Sequence, residues 1–351
     1  MENLLGYTLE KMSSEFEARG QSKYRAKQVF AWIYVRNVLD FDSMSDVSKA
    51  FREELKSSFS LALPRIAYRQ DGKDGTIKLL LEMEDGAKVE TVMMPYDYGC
   101  PICVSSEVGC SMGCAFCASG LHKRERGLTA AEMVGELLVM NNVLREYGRS
   151  VTHINVMGTG EPFDNYDNVM DFIRIANCQF GLAIGARHIT VSTCGLTEGI
   201  KRYGKEGLQT NLALSLHAPN DEIRNRIMPI SRAFPMDKLF EALQEYGRDS
   251  GRRVTLEYIL LSGINDTDEC ARELAALIRK YGVFAYVNLI PYNEVKEMPF
   301  KRASNNRVHA FHDLLLKLGI NATVRKEWGE DIDAACGQLR AKTMDKKERG
   351  Q

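Results

Sequence analysis

The stretch of sequence around which this chain is organised is Gly109-Cys110-Ser111-Met112-Gly113-Cys114-Ala115-Phe116-Cys117-Ala118-Ser119-Gly120. It places three cysteines at the spacing Cys-x3-Cys-x2-Cys, with small residues between them that let the backbone turn tightly. Thiolates are favoured ligands of soft metals, and a loop this short can wrap three sulfurs around one compact metal group. A structural zinc site needs four protein ligands, and no later Cys-x2-Cys or His-x3-His pair is present to complete one.

The number of cysteines in this loop favours a catalytic centre. A cubane [4Fe–4S] cluster is normally held by four thiolates. If Cys110, Cys114 and Cys117 alone hold it, one iron is left open for a substrate to coordinate. The loop therefore predicts a catalytic iron–sulfur cluster. The alternative is three buried cysteines that happen to lie close together.

Length and composition describe an ordinary globular chain. At 351 residues it is long enough for one large domain with an appendage, or for two domains. Hydrophobic residues make up 44% and charged residues 26%, which predicts a sizeable core. No apolar run is long enough to span a membrane, and the amino terminus does not resemble a signal peptide. Nine cysteines, an odd number, without secretory features favour a reducing compartment, so we expect a soluble cytoplasmic protein.

Charge gives a mixed indication about nucleic acid. A net charge of −1 and a pI near 6.6 argue mildly against a nucleic-acid partner, because such proteins usually present a basic surface. Local basic clusters soften this argument, although such clusters are often ordinary solvated surface. They occur in residues 337–351, at Lys23, Arg25 and Lys27, and at Lys123, Arg124 and Arg126.

The first part of the chain predicts helices and then a hairpin. Residues 1–62 read as helical, with one helix beginning after Ser22 and another over about 47–58. Strands over 76–84 and 88–94 flank Asp85-Gly86, a strong hairpin-turn signal. Glu90 lies in the second strand among apolar residues. It therefore faces water or a site, or is buried at a cost in free energy unless it is paired.

The remainder alternates strands with helices. Strands are predicted over 102–108, 152–158, 188–194, 209–216, 253–261, 284–290 and, more briefly, 321–326. The clearest helices are predicted over 129–146, 165–177, 235–249, 266–281 and 305–318. Such alternation predicts parallel strands joined by right-handed crossovers. A complete eightfold barrel takes about 250 residues, and this part supplies six units and a partial seventh; an open doubly wound sheet is the alternative.

Polar motifs follow the predicted strands at their carboxyl ends, where barrel enzymes carry their active sites. Each has a plain structural explanation as well: a Gly-x-Gly segment is also a common tight turn, and a single histidine is often structural. The motifs are Gly158-Thr159-Gly160-Glu161-Pro162, Ser192-Thr193-Cys194, Ser215-Leu216-His217-Ala218-Pro219 and Asn288.

Three stretches carry a resemblance to a known family. The cysteine spacing, with Phe116 before the last cysteine, matches the radical S-adenosylmethionine (SAM) signature. The segments 103–110, Cys-Val-Ser-Ser-Glu-Val-Gly-Cys, and 331–340, Asp-Ile-Asp-Ala-Ala-Cys-Gly-Gln-Leu-Arg, are similar to RNA adenosine methyltransferases of the RlmN/Cfr family. The resemblance covers nearly the whole chain.

The resemblance implies a fold and a domain organisation. The fold class is α/β, a partial (βα)6 TIM-like radical SAM barrel with a small amino-terminal helical accessory domain and a β-hairpin linker. The implied boundaries are 1–62 for the RNA-binding accessory domain, 63–98 for the hairpin region, and 99–351 for the radical SAM core with its carboxy-terminal catalytic segment.

The resemblance also implies which residues bind SAM. The family's Gly-Met-Gly-Glu-Pro motif, whose backbone pairs with the SAM amino group, corresponds to Gly160 and Glu161 and their neighbours, with Thr159 in place of the usual Met. A backbone contact should tolerate that change. The other residues implied to line the SAM pocket are Ser192, Ser215, Leu216, His217 and Asn288.

A radical mechanism follows if the substrate is C2 of adenine. This carbon is electron-poor and has no readily lost proton, so it cannot attack the SAM methyl group as an amine would. In the mechanism implied by the resemblance, Cys336 takes a methyl group from a first SAM. A second SAM, two per turnover, is cleaved at the [4Fe–4S] cluster to a 5′-deoxyadenosyl radical, which takes hydrogen from that methyl group.

The same resemblance assigns the steps that release the product. The carbon radical on Cys336 adds to C2, and Glu90, the implied proton acceptor, removes the C2 proton. Cys103, the implied resolving thiol, then attacks the sulfur of Cys336 and leaves a transient disulfide between them. Cys100, Cys178, Cys194 and Cys270 are taken as packing residues.

Implied substrates are an adenosine in the peptidyl-transferase region of 23S rRNA and one beside the anticodon in tRNA. The target base must leave its stack to reach a buried cluster. An electron donor such as flavodoxin or ferredoxin, with its reductase, is implied, and a monomer that does not bind membranes is expected. One alternative is a Cfr-type enzyme that methylates C8 of the same rRNA adenosine; another is a non-catalytic iron–sulfur RNA-binding protein.

Overall fold

Strands and helices were assigned for residues 1–121, 123–329 and 331–332, which the computed structural model describes. The strands are β1 Glu2–Asn3, β2 Phe59–Ser60, β3 Arg65–Asp71, β4 Ile77–Glu82, β5 Lys88–Met93, β6 Pro101–Val104, β7 Glu107–Val108, β8 Arg126–Gly127, β9 His153–Val156, β10 Ile189–Thr193, β11 Asn211–Ser215, β12 Val254–Leu260, β13 Ala285–Pro291 and β14 Ala322–Val324. The α-helices are α1 Leu9–Ala18, α2 Lys23–Tyr34, α3 Lys49–Ser58, α4 Ala130–Arg145, α5 Tyr166–Asn177, α6 Thr197–Gly204, α7 Asp221–Ile227, α8 Met236–Ser250, α9 Asp268–Tyr281 and α10 Asn305–Lys317.

A ten-stranded sheet in the order β14-β13-β12-β11-β10-β9-β6-β5-β4-β3 forms the centre of the molecule. Strands β6 and β9 to β14 run parallel to one another. At least one helix lies between each of these strands and the next, which gives six strand–helix units and a final short strand. The predicted α/β fold with a partial (βα)6 barrel is therefore confirmed.

The predicted hairpin is part of the same sheet. Strands β4 and β5 pair antiparallel around Asp85-Gly86, and β5 pairs antiparallel with β6, the first parallel strand. Because β5 and β6 run in opposite directions, Glu90, near the start of β5, lies beside the carboxyl end of β6. Ser105 Oγ there donates to the Glu90 carbonyl at 2.8 Å. The hairpin thus brings Glu90 to the barrel edge that the sequence predicts to be functional.

The predicted strands after residue 152 are all present, with ends shifted by one or two residues. The prediction of one strand over 102–108 is wrong, because the strand ends at Val104 and Glu107–Val108 pairs with Arg126–Gly127 instead. Two hydrogen bonds account for the break. The Ser105 backbone N–H donates to Glu136 Oε2 at 3.1 Å, and that of Ser106 donates to the Thr159 carbonyl at 2.9 Å, so neither continues the ladder.

The predicted helices are also present, and several begin at a capping side chain. Thr129 and Glu132 form a reciprocal capping box at the start of α4. Helix α1 lies within residues 1–62, which the sequence predicts to be helical, whereas α6 and α7 are not among the predicted helices. Helices α6 and α7 have only 8 and 7 residues, too few for a clear helical period.

The amino-terminal helices pack against the first barrel helix. Strand β1 pairs with β2, which returns the chain to the barrel after α3. A Cβ atom at position 6 would lie 3.0 Å from the Ala131 backbone nitrogen of α4, so this close contact favours glycine. Asn37 donates to Asn142 of α4 at 2.8 Å. None of the helices in the described residues is both long and apolar enough to cross a bilayer.

The segment after β14 connects the two edges of the sheet. Gly329 N donates to Asp74 Oδ2 at 2.7 Å, and Lys73 N donates to Asp331 Oδ2 at 3.0 Å, which joins this segment to the loop before β4. The rings of Trp328 and Tyr96 lie 4.9 Å apart. Within the described residues, this segment and not strand pairing connects the two sides of the sheet.

Candidate active site

A single cavity of about 340 Å³ gathers most of the predicted site residues. Those in its wall are Cys110, Cys114, Cys117, Gly160, Glu161, Ser192, Ser215 and His217. Within the described part of the chain, the wall does not include Glu90, Cys103, Leu216 or Asn288. Cys336, the predicted methyl carrier, lies outside the described residues.

The three-cysteine loop is closed at its base and supported from below. The ladder between β7 and β8 joins its two ends, and Glu125 N donates to the Val108 carbonyl at 2.8 Å. In its middle, Ala115 N donates to the carbonyl of Ile227, the last residue of α7, at 2.8 Å. These contacts hold the loop over the carboxyl ends of the parallel strands.

The thiols of this loop suit a cluster better than a single ion. Burial raises the pKa of Cys110 to about 11, and burial together with the neighbouring thiols raises that of Cys114 further. Such a set binds as thiolates only when a metal group replaces the protons. No three His, Cys, Asp or Glu side chains of the described residues converge closely enough for one ion. A cubane cluster binds its thiolates at separate irons, so the loop fits a [4Fe–4S] cluster.

Glu107, which the sequence did not single out, connects this loop to the glycine turn. The side chain is fully buried, and its Oε2 accepts from Glu161 N at 3.0 Å. Its Oε1 pairs with Arg124, which also lies 3.2 Å from Asp164. Burial raises the pKa of Glu107, and the bonds from Glu161 N and Arg124 oppose that rise. One carboxylate thus fixes the end of the cysteine loop relative to the predicted SAM-binding turn.

The glycine turn requires glycine for reasons visible in the structure. Gly160 has a φ of 110°, and a Cβ there would lie 2.6 Å from Cβ of Glu107. The Glu161 carboxylate accepts from Phe163 N at 3.0 Å and from Cys194 N at 2.7 Å. These bonds engage both oxygens of the Glu161 carboxylate in holding the turn.

His217 is held as a neutral imidazole in the cavity wall. It has a φ of 58°, and its Nδ1 accepts from Ile259 N at 3.1 Å. Burial, with a smaller effect of the Arg224 charge, lowers the pKa of His217 to about 3. With Nδ1 accepting, the proton is on Nε2, and the ring packs edge-on against Phe116 at 5.0 Å. His217 can therefore offer a hydrogen-bond donor next to the cysteine loop.

Asn288 acts on the cavity through another residue. Its Nδ2 donates to Glu257 Oε2 at 2.8 Å, and Glu257 lines the cavity. Burial raises the pKa of Glu257, while Arg325 and the bond from Asn288 oppose this. Glu257 is not among the predicted site residues, although it is a carboxylate in an apolar strand, the same signal that makes Glu90 a candidate.

Glu90 and Cys103 lie just behind the cavity wall. Val92 lines the cavity and is directly opposite Cys103 where β5 pairs with β6. Glu90 precedes Val92 by two residues and lies on the same face of β5. Cys103 is buried in a cluster with Val92 and Met94, and Trp328 packs against this cluster. Glu90 forms a 2.9 Å ion pair with Lys78 of β4, and their side chains are 4% and 0% exposed.

This geometry, a partial parallel barrel with three thiols above the carboxyl ends of its strands, defines a radical SAM enzyme. In agreement, the family model described as "Radical SAM superfamily" matches residues 104–275. A second model, "Ribosomal RNA large subunit methyltransferase N-terminal domain", matches residues 2–61. A crystal structure of a radical SAM methyltransferase from Sphaerobacter thermophilus is 43% identical, with a TM-score of 0.90 and coverage of 96% of this chain and 99% of that one.

Full-length relatives are more specific. A protein from Enterococcus faecalis named "Probable dual-specificity RNA methyltransferase RlmN" is 50% identical over 348 residues, 98% of each chain. A protein of the same name from Spiroplasma citri is 48% identical, over 97% of this chain and 98% of its own. The chain belongs to the RlmN family of radical SAM enzymes.

Proposed function

We propose that this protein is an RNA methyltransferase that methylates C2 of adenosine, in the peptidyl-transferase region of 23S rRNA and beside the anticodon of tRNA. The observation that carries the proposal is the convergence of the cysteine loop, the glycine turn and His217 on one cavity, with Cys103 and Glu90 directly behind its wall. A relative named as a dual-specificity RNA methyltransferase aligns over 98% of the chain, which supports RNA as the substrate.

Cofactor binding is assigned to residues of the cavity wall. Cys110, Cys114 and Cys117 hold the [4Fe–4S] cluster, which supplies the electron that cleaves SAM. The backbone of Gly160 and Glu161 would bind the SAM amino group, and Ser192 and Ser215, which line the same cavity, would contribute polar groups to the pocket. Two SAM would be used per turnover. Asn288 takes part by orienting Glu257, which gives it an indirect role.

The chemistry of C2 requires more than a binding site. Because this carbon is a poor nucleophile, the methyl group must first be placed on the protein, and Cys336 is the carrier that the proposal requires. Radical addition leaves one unpaired electron on the base, which a cluster held by the three loop cysteines would take up, and Glu90 accepts the C2 proton. The thiolate of Cys103 then attacks the Cys336 sulfur, which forms a disulfide and breaks the bond between that sulfur and the RNA-linked carbon. The carbon keeps the bonding electrons and takes a proton to become the methyl group.

The surroundings of Cys103 support its assignment as the resolving thiol. The residue is 8% exposed and lies in the cluster of Val92 and Met94, against which Trp328 packs. Trp328 precedes Cys336 by eight positions, so the segment that leads to the carrier begins beside Cys103. An electron donor of the flavodoxin or ferredoxin type, a monomeric state and a cytoplasmic location complete the proposal.

Removing the Cys336 thiol and removing the Cys103 thiol should stop the reaction at different steps, and this difference is the decisive test. Cys336→Ala has no carrier and should form no protein–RNA adduct. Cys103→Ala can accept the methyl group and attack the base but cannot release it. It should therefore copurify with RNA bound through Cys336, detected as a nucleotide-bearing peptide after nuclease and protease digestion.

Cys270→Ala provides the matched control, because Cys270 is a buried thiol of α9 outside the cavity wall. It should turn over normally and carry no RNA. A Cys103→Ala protein that completes many turnovers, or that is inactive without an adduct, would show that the relay is wrong. Mass spectrometry of the product separates 2-methyladenosine from the 8-methyladenosine of a Cfr-type reaction.

A further inference from the structure

Arg224 of α7 is a fully buried cation without a carboxylate partner in the described part of the chain. Its four hydrogen bonds all go to backbone carbonyls: Cys194 at 2.6 Å, Leu216 at 3.2 Å, Phe234 at 3.3 Å and Ser215 at 3.4 Å. Arginine stays charged in proteins, so the positive charge is present here. A buried charge that is hydrogen-bonded but not neutralised is costly in free energy.

The position of Arg224 relates it to the cysteine loop. Helix α7 ends at Ile227, whose carbonyl accepts from Ala115 of the loop at 2.8 Å, and Met228 lines the cavity. Cys194, whose carbonyl accepts from Arg224 at 2.6 Å, lines the same cavity as Cys114, and Cys114 packs against the apolar cluster that contains Cys194. The guanidinium therefore lies behind the cavity wall, next to the predicted cluster site.

The charge of the cluster accounts for this placement. Three thiolates contribute more negative charge than the iron–sulfur core contributes positive charge, and the site becomes more negative when one electron is added. A fixed positive charge nearby therefore stabilises the reduced state more than the oxidised state. The surrounding dielectric is low and solvent does not reach Arg224, so the interaction is strong there; Asp221, one turn earlier in α7, also acts on the Arg224 charge without forming an ion pair with it.

We propose that Arg224 is the fixed counter-charge of the iron–sulfur cluster and raises its reduction potential. The inference depends on the cluster that family membership implies, and not on which atom of RNA is methylated. The competing explanation is structural: Arg224 only ties together the ends of β10 and β11 through their carbonyls. The two explanations differ in what happens when the charge alone is removed.

Redox titration of the reconstituted protein, followed by the electron paramagnetic resonance signal of the reduced cluster, tests the proposal. Arg224→Gln removes the charge and keeps amide donors, Arg224→Met removes both, and Arg224→Lys keeps the charge. Both neutral variants should have a lower reduction potential. At the potential where half of the wild-type cluster is reduced, their ratio of reduced to oxidised cluster should be about tenfold lower, which corresponds to a reduction potential about 59 mV lower for a one-electron step. Arg224→Lys should stay within about threefold of wild type.

The matched control is Arg202→Met, because Arg202 is an arginine of neighbouring α6 that is largely exposed and pairs with Asp167 at 2.6 Å. It should titrate like wild type. If either Arg224→Gln or Arg224→Met does not fold, the remaining neutral variant, compared with Arg224→Lys, tests whether the charge sets the reduction potential. A folded neutral variant with full iron content and wild-type potential would overturn the proposal, as would a Lys variant shifted as far as the neutral ones.

Discussion

Replacing Glu90 with Gln should destabilise the protein as well as stop the chemistry, because the structure gives Glu90 a buried partner. Lys78 has a side chain that is 0% exposed and an ammonium group 2.9 Å from Glu90 Oε2. Removal of one member of a buried ion pair leaves an uncompensated charge and typically costs about 3–5 kcal/mol. For a chain of this size each kcal/mol lowers the melting temperature by roughly 2 °C, so a fall of about 6–10 °C is expected.

A double variant separates the two effects. Lys78→Met/Glu90→Gln removes both charges, and replacing a buried pair with uncharged groups is often neutral or stabilising. Its melting temperature and cluster content should return close to wild type, while RNA methylation should stay absent because the proposed proton acceptor, Glu90, is missing. Calorimetry, iron analysis and a methylation assay on the single and double variants provide the measurements.

Glu82→Gln is the matched control for this pair. Glu82 belongs to the same hairpin and pairs with Arg65 at 2.7 Å and with Lys88 at 3.2 Å, but Glu82 itself is 25% exposed, so solvent reaches both pairs. Solvent screens such a pair, so its loss should leave the melting temperature nearly unchanged. Methylation by the double variant at a wild-type rate would refute the role of Glu90. A Glu90→Gln variant as stable as wild type would refute the energetic argument.

Three further predictions follow from the cavity wall. Changing Cys110, Cys114 or Cys117 to Ala should abolish the cluster absorbance and SAM cleavage together; stoichiometric iron and sulfide in a triple variant would contradict the assignment. Gly160→Ala should weaken SAM binding in equilibrium measurements, because a φ of 110° and a Cβ 2.6 Å from Glu107 displace the turn. His217 has a folded-state pKa of about 3 against about 6.5 unfolded, so the stability it contributes is present above pH 6.5 and is lost as the pH falls towards 3. Between pH 7 and 5, wild type should lose about 2 kcal/mol more than His217→Gln in denaturant titrations.

The sequence predicts the positions of elements better than it predicts which residues meet. The strands after residue 152 were predicted with small shifts at their ends, because apolar runs and turn residues are local signals. The break after Val104 was missed, because it depends on Glu136 and Thr159, which are distant in sequence. Tertiary hydrogen bonds of this kind have no counterpart in a local pattern.

The candidate site shows the same division. The residues of the cysteine loop, the glycine turn and His217 were found from motifs, and the structure places them in one cavity. The partnership of Lys78 and Glu90 could not be found this way, since it depends on the register in which β4 pairs with β5. Glu257 could have been found by the reasoning applied to Glu90.

Two buried charged side chains of this barrel, Glu90 and Arg224, differ in whether an opposite charge of the protein is bonded to them. Glu90 is neutralised by Lys78, a side chain of the same hairpin, so the polypeptide alone accounts for both charges. Arg224 has only backbone carbonyls as hydrogen-bond partners within the described residues, so no carboxylate is bonded to its charge there. A fold can retain such a charge at low cost when a bound group brings the opposite one. The buried Arg224 charge behind the cavity wall is therefore a second indication of an anionic cofactor, beside the cysteine motif.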